Sequence, residues 1–119
     1  MRVHRKAVLL ALLLIPAVSA YPQRRETDVR NVHGTVVDKD ENPVDTAIVY
    51  LKNTHTQDVR TFISQGDGVF RFSGLDPHVD YEIHAEHDGM ISSTHVISNF
   101  DSRKEVSLVL KVDRKKTGK

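Results

Sequence analysis

From Val32 onward, apolar and polar residues alternate in short runs, the period of two expected of strands with one buried face. The clearest runs lie in the stretch Gly66 to Gly89. Asp67-Gly68 tolerates positive φ and predicts a tight reversal. After it Phe70 and Phe72 fall on one face with Arg71 on the other. Gly74, Asp76 and Pro77 punctuate the chain, and the next run sets Tyr81, Ile83 and Ala85 against Asp80, Glu82 and His84. Phe70, Phe72 and Tyr81 are therefore expected in the core. The other runs predict strands over Val32–Val36, Val44–Leu51, Asp58–Ser64, Met90–Ile97 and Glu105–Val112, with turn clusters at Asp38–Pro43, Lys52–Gln57 and Asn99–Arg103. Gly34, between Val32 and Val36, marks a close approach by a neighbouring chain segment. No helical period occurs after residue 20. Short strands separated by frequent turns predict an all-β fold, a seven-stranded antiparallel Greek-key β-sandwich of transthyretin or immunoglobulin type.

The first residues follow a different pattern. Arg2, Arg5 and Lys6 precede the apolar run Ala7 to Val18, and Val18-Ser19-Ala20 supplies the small residues of a cleavage site. Residues 1–20 read as a signal peptide, too short in its apolar part to span a bilayer as a helix, so the chain is expected to be secreted or periplasmic after cleavage near Ala20. Residues 21–31 are expected as a flexible lead-in, 32–112 as the domain, and 113–119 as a basic disordered tail. The sequence has no cysteine, so a hydrophobic core must hold this domain without disulfides.

Charge is partitioned. Residues 32–110 carry 13 Asp and Glu against 6 Lys and Arg, while Lys111 to Lys119 carries five basic residues. An acidic body without a basic stripe or exposed aromatics for stacking excludes a nucleic-acid partner.

A set of spaced residues carries a family resemblance: Val32-x-Gly34-x-Val36-x-Asp38, then Asn42-Pro43-Val44 leading to Ala47-x-Val49-x-Leu51. It continues with Ser64-x-x-Asp67-Gly68-x-Phe70-x-Phe72-x-Gly74-Leu75-x-Pro77, then Tyr81 and Gly89. This resembles the carboxypeptidase regulatory-like domain over about Val32 to Val112, with His78 and Ser64 where the family often has glycine and threonine. The resemblance implies a transthyretin-like, seven-stranded sandwich that is not itself catalytic and that supports folding, adhesion or substrate presentation. It implies no cofactor.

Candidate chemistry is sparse. No G-x-S-x-G occurs, and Asp80 and Glu82 lie on a wet face with nothing to raise a pKa. The densest histidine group is His84-Ala85-Glu86-His87. On a strand His84 and Glu86 share a face, and a third metal ligand would come from a neighbouring strand through His95 or His33. Asp38, Asp40, Glu41 and Asn42 supply oxygen atoms but not the twelve-residue calcium loop. A sugar partner would need an exposed aromatic platform, for which the sequence offers Tyr50 flanked by Ile48 and Lys52. The same residues, with Val109, make an outward apolar patch, and Met90–Ile97 makes a polar edge strand. Another envelope or extracellular protein is the expected partner, with a glycan as the rival.

Overall fold

The computed structural model describes residues 29–117, so the expected signal peptide and most of the lead-in lie outside the described residues. The described residues form nine strands: β1 (Arg30–Asp38), β2 (Ile48–Asn53), β3 (Val59–Ile63), β4 (Val69–Leu75), β5 (Tyr81–His87), β6 (Met90–Ile91), β7 (His95–Ile97), β8 (Glu105–Val112) and β9 (Arg114–Lys115). They make two sheets. The smaller has the order β4-β1-β8, and the larger runs β3-β2-β5-β6-β9 with β7 also paired to β5. Among the described residues there is no helix.

The core is the set of inward positions that alternation predicts. Val32, Val36, Phe70, Phe72, Val106 and Leu110 from the smaller sheet meet Val49, Leu51, Tyr81, Ile83 and Ala85 from the larger, all buried. Phe62 reaches across from β3 and meets the Phe72 ring edge-on, with centroids 6.1 Å apart. The corner between β4 and β5 carries the chain from one sheet to the other, and the Tyr81 hydroxyl fixes it by accepting a hydrogen bond from the Asp76 amide at 2.9 Å. His78 is accommodated there without a left-handed backbone.

Four expectations need correction. The sandwich is not wholly antiparallel, because β1 and β8 pair in parallel from Asn31↔Glu105 to Asp38↔Val112. Alternation specifies which face a residue takes but not the direction of the strand that carries it. The strand expected over Met90–Ile97 is two short strands, interrupted where Ser92 turns inward. Its hydroxyl accepts from the Ala85 amide and donates to the Ser93 carbonyl, both at 2.9 Å, so Ser92 is buried structure rather than edge decoration. Strand β1 already includes Arg30 and Asn31, ahead of the boundary expected at residue 32. Finally, the basic segment from 113 is structured in part: Arg114–Lys115 pairs with Met90–Ile91, and the Lys116 amide donates to the Gly89 carbonyl at 2.8 Å.

Two glycines are dictated by space. A Cβ on Gly34 would stand 1.8 Å from the Leu108 carbonyl oxygen of the parallel partner strand, the close approach expected from its place between Val32 and Val36. Gly68 has φ +79°, and a Cβ there would meet the Val36 carbonyl at 2.5 Å.

Candidate functional site

The larger sheet presents one side to the core and one to solvent. Directly opposed residues of antiparallel strands share a face, so the register defines the outer surface row by row. One row is Ile63, Ile48, Glu86 and Ile91; the next is Thr61, Tyr50 and His84; the third is Val59, Lys52, Glu82 and Val96. Ile48 and Tyr50 thus point outward while Val49 and Leu51 are buried, as the alternation of β2 predicts.

The Tyr50 ring and the His84 imidazole stack at 4.8 Å with planes 9° apart. His84 Nε2 lies 3.0 Å from Glu86 Oε2, and Lys116 Nζ lies 2.9 Å from Glu86 Oε1, so one carboxylate is held between a histidine and a lysine. Partial burial pushes the Glu86 carboxyl up, but the hydrogen bonds and charges of Lys116 and His84 together outweigh it and hold the group below the usual carboxylate range. Lys52 pairs with Glu82 at 3.7 Å. Around this polar centre Ile63, Val59 and Val96 are each more than half exposed. A shallow groove of about 230 Å³ lies between Tyr50, Lys52, Val59, Glu82, His84 and Thr94.

The candidate metal ligands separate. His84 and Glu86 share the outer face, but His95 is paired with the buried Ile83 and so lies on the opposite face, and His87 follows the same parity. His33 belongs to the other sheet, where its Nδ1 is 3.4 Å from Glu105 Oε1, outside hydrogen-bond geometry. Among the described residues no group of three or more His, Asp or Glu side chains is gathered to hold a metal ion. The acidic turn at Asp38 serves itself: Asp38 Oδ1 accepts from the amides of Asp40 and Asn42, both at 2.9 Å, and Glu41 pairs with Lys111. The bond from the Asn42 amide is the main force holding the Asp38 carboxyl below its ordinary value.

Val109 does not join the Ile48–Tyr50 patch. It faces outward from β8 on the other sheet, opposite Thr35. Nor are the buried serines poised for chemistry, since the Ser64 hydroxyl accepts from the Ala47 amide and donates to the Val44 carbonyl, and Ser92 is similarly committed. Sequence reasoning missed Arg30, placed in the lead-in. Arg30 is 2% exposed, and its guanidinium donates to the carbonyls of Ser98, Asp101 and Pro77 at 3.0, 2.7 and 3.3 Å. The available signal was parity: Arg30 stands two residues before Val32 and shares its inward face.

The two-sheet β-sandwich with its crossing corner defines the class. The family model for the carboxypeptidase regulatory-like domain matches residues 31–111, and the chain belongs to that family. No curated protein matches the sequence. Among solved structures, the group B streptococcus pilus 2b backbone protein is similar at 15% identity, TM-score 0.57, over 83% of this chain and 46% of its own. Catechol 1,2-dioxygenase from Pseudomonas arvilla C-1 is similar at 13% identity, TM-score 0.56, over 78% and 55%. BcpA, the major pilin subunit of Bacillus cereus, is similar at 18% identity, TM-score 0.54, over 73% and 30%. The chain thus spans about half the length of the catechol dioxygenases it resembles, and these likenesses are of fold. No helix among the described residues is long and apolar enough to cross a membrane.

Proposed function

We propose that this chain is a secreted, non-catalytic module that binds another protein of the cell envelope or extracellular space through the outer face of its larger sheet. The observation that carries the reading is the composition of that face: a stacked Tyr50–His84 pair, two ion pairs, and the exposed Ile63, Val59 and Val96 on neighbouring strands. Interfaces are enriched in aromatic and apolar anchors, and here exposed apolar residues flank the stacked pair and the ion pairs. Among the described residues the outermost strand β3 also has no strand paired on one side, an edge that a partner strand can extend. Family membership and the occurrence of the same fold in pilus backbone proteins support a supporting or binding role outside the cytoplasm.

The sugar reading is less well supported. A pyranose stacks on a free aromatic face, and the imidazole of His84 covers one face of the Tyr50 ring. The metal reading has two ligands on one face and lacks a third.

The test is capture by the purified chain from envelope extract, followed by titration of the captured protein against wild type, Tyr50→Ala and Val96→Asp. Saturable binding that both variants weaken at unchanged melting temperature supports the reading. Equal binding by all three, or no saturable partner, overturns it. A glycan-array signal abolished by Tyr50→Ala transfers the site to sugar. Secretion is tested by N-terminal sequencing of the exported protein, expected to begin at Tyr21.

A further inference from the structure

The larger sheet ends in two unlike edges. One is β9, a short strand of two basic residues, Arg114 and Lys115, charged in the way that sheet edges are guarded against further pairing. The other is β3, Val59-Arg60-Thr61-Phe62-Ile63, which has neither proline nor lysine and in which Val59 and Ile63 are each more than half exposed. Its single charge is turned aside: the Arg60 guanidinium donates to the Ser73 carbonyl of β4, in the other sheet, at 3.3 Å.

The direction of the free backbone groups of β3 follows from the bonds on its paired side. The Asn53 amide donates to the Asp58 carbonyl at 2.9 Å and the Ser64 amide to the Ala47 carbonyl at 2.8 Å, so the even-numbered residues of this segment serve β2. Val59, Thr61 and Ile63 therefore turn their N–H and C=O groups to the side that, among the described residues, carries no strand. An antiparallel copy of the same strand, related by a two-fold axis at Thr61, sets Val59 against Ile63 and Thr61 against itself, and each of these pairs exchanges both of its hydrogen bonds. In that register the β-branched side chains of Val59, Thr61 and Ile63 meet on the outer face. On the inner side Arg60 falls opposite Phe62 and Asp58 opposite Ser64, so no like charges are directly opposed. Moving the axis one residue either way leaves Val59 or Ile63 without a partner in the strand, and moving it to Arg60 also sets two arginines face to face.

We propose that β3 is a self-recognising edge, through which two copies of the chain pair antiparallel about Thr61 and join their larger sheets into one. What singles out a second copy as the occupant is the self-complementarity of the strand: reversed, it supplies at every position the residue and the backbone group that the edge requires. The contact is isologous, so it closes at the dimer. A ladder of five residues is small against a stable interface, so the dimer is weak in dilute protein. It is made by backbone groups rather than by ion pairs, so it responds little to salt. The proposal gives the β3 edge to a second copy and leaves the outer face, with Tyr50 and Val96, to another protein, so it does not rest on the outer-face reading.

Sedimentation of the purified chain over a concentration series is the experiment. Wild type is expected to rise from monomer to dimer mass and level there, at low and high salt alike. Thr61→Lys and Thr61→Glu each set like charges on the axis at an exposed position, and should weaken the dimer by about 5-fold or more at unchanged melting temperature. Mixed, the two variants oppose unlike charges and should restore it. The chain has no cysteine, so an introduced one reports the register. Thr61→Cys should form a disulfide between copies on oxidation with diamide, because the Cα atoms of such a pair stand about 5.5 Å apart. Val59→Cys, displaced along the strand from its own copy, should crosslink only when mixed with Ile63→Cys. The proposal is overturned if wild type stays monomeric up to about 1 mM, if its mass climbs past the dimer, if the charged variants associate singly like wild type, if mixing them restores nothing, or if Val59→Cys crosslinks alone as readily as Thr61→Cys. Tyr50→Ala should leave the dimer intact, so the failure of either reading does not carry the other. A monomeric wild type whose captured partner is lost on Thr61→Lys would give the edge to a foreign strand instead.

Discussion

Replacing Arg30 by methionine tests how the domain's entry strand is tied to its loops. Methionine keeps most of the apolar stem and volume, so the substitution removes chiefly the donors. Three carbonyls, those of Ser98, Asp101 and Pro77, then lose a charged partner. Hydrogen bonds to a charged group are worth about 1.5–3 kcal/mol each, but the buried guanidinium also gives up solvation, so the gross sum is not the net effect. An apolar isostere can replace a buried ion pair at little loss when both partners change, yet backbone carbonyls cannot be replaced. The expected loss is therefore about 3–5 kcal/mol, a large share of the roughly 5–15 kcal/mol that stabilises a domain. Urea denaturation followed by circular dichroism measures it. With a slope of about 2 kcal/mol per molar, the midpoint should fall by about 2 M. Arg30→Lys should recover only part of the loss, because one ammonium cannot span three acceptors as the planar fork does. A midpoint shift below about 0.5 M for Arg30→Met would refute the reasoning and assign the loop's order to its own turns.

Gly34→Ala places a methyl group against the Leu108 backbone, which cannot yield as a side chain can, and should cost more than about 3 kcal/mol or prevent folding, read by the same denaturation. Glu86 has a depressed folded pKa, so its contribution is fully present above the unfolded value of 4.5 and is lost as pH falls through the lower folded value. Hydrogen exchange at the amide of Lys116 should accelerate in that acid window, and Glu86→Gln should make the exchange fast at neutral pH and remove the dependence. Excess Zn²⁺ is expected to leave the melting temperature unchanged, since His84 and Glu86 stand without a third ligand on their face; a rise of several degrees that His84→Ala abolishes would contradict this.

Most of the core was legible because burial follows parity. Phe70, Phe72, Tyr81 and Ile83 needed only the period of two to be assigned inward, and Asp67-Gly68 needed only its tolerance of positive φ to be assigned to a turn. What escaped depends on partners distant in sequence. The parallel alignment of β1 with β8 joins the first strand to one more than seventy residues away, and no local pattern records it. Ser92 looked like one polar residue of an exposed edge, although its hydroxyl takes the place of a strand partner for Ala85. Of the candidate site, Ile48, Tyr50 and Lys52 were legible as an outward row, and so was the shared face of His84 and Glu86. The stacking of His84 on Tyr50 required the register between β2 and β5, and the contact from Lys116 required a tail strand whose composition resembles that of an unstructured end.

The side-by-side, same-direction course of β1 and β8 also fixes how the domain bears load. β1 begins at Arg30 on one pole, and β8 ends at Val112 on the other. Tension along the chain therefore draws the two strands lengthwise past each other and strains the ladder between Asn31 and Val112 all at once, instead of peeling it one rung at a time. Shear of this kind makes a mechanically stiff link, and pulling through residues 30 and 112 should require more force than pulling the β2–β3 hairpin apart from its open end.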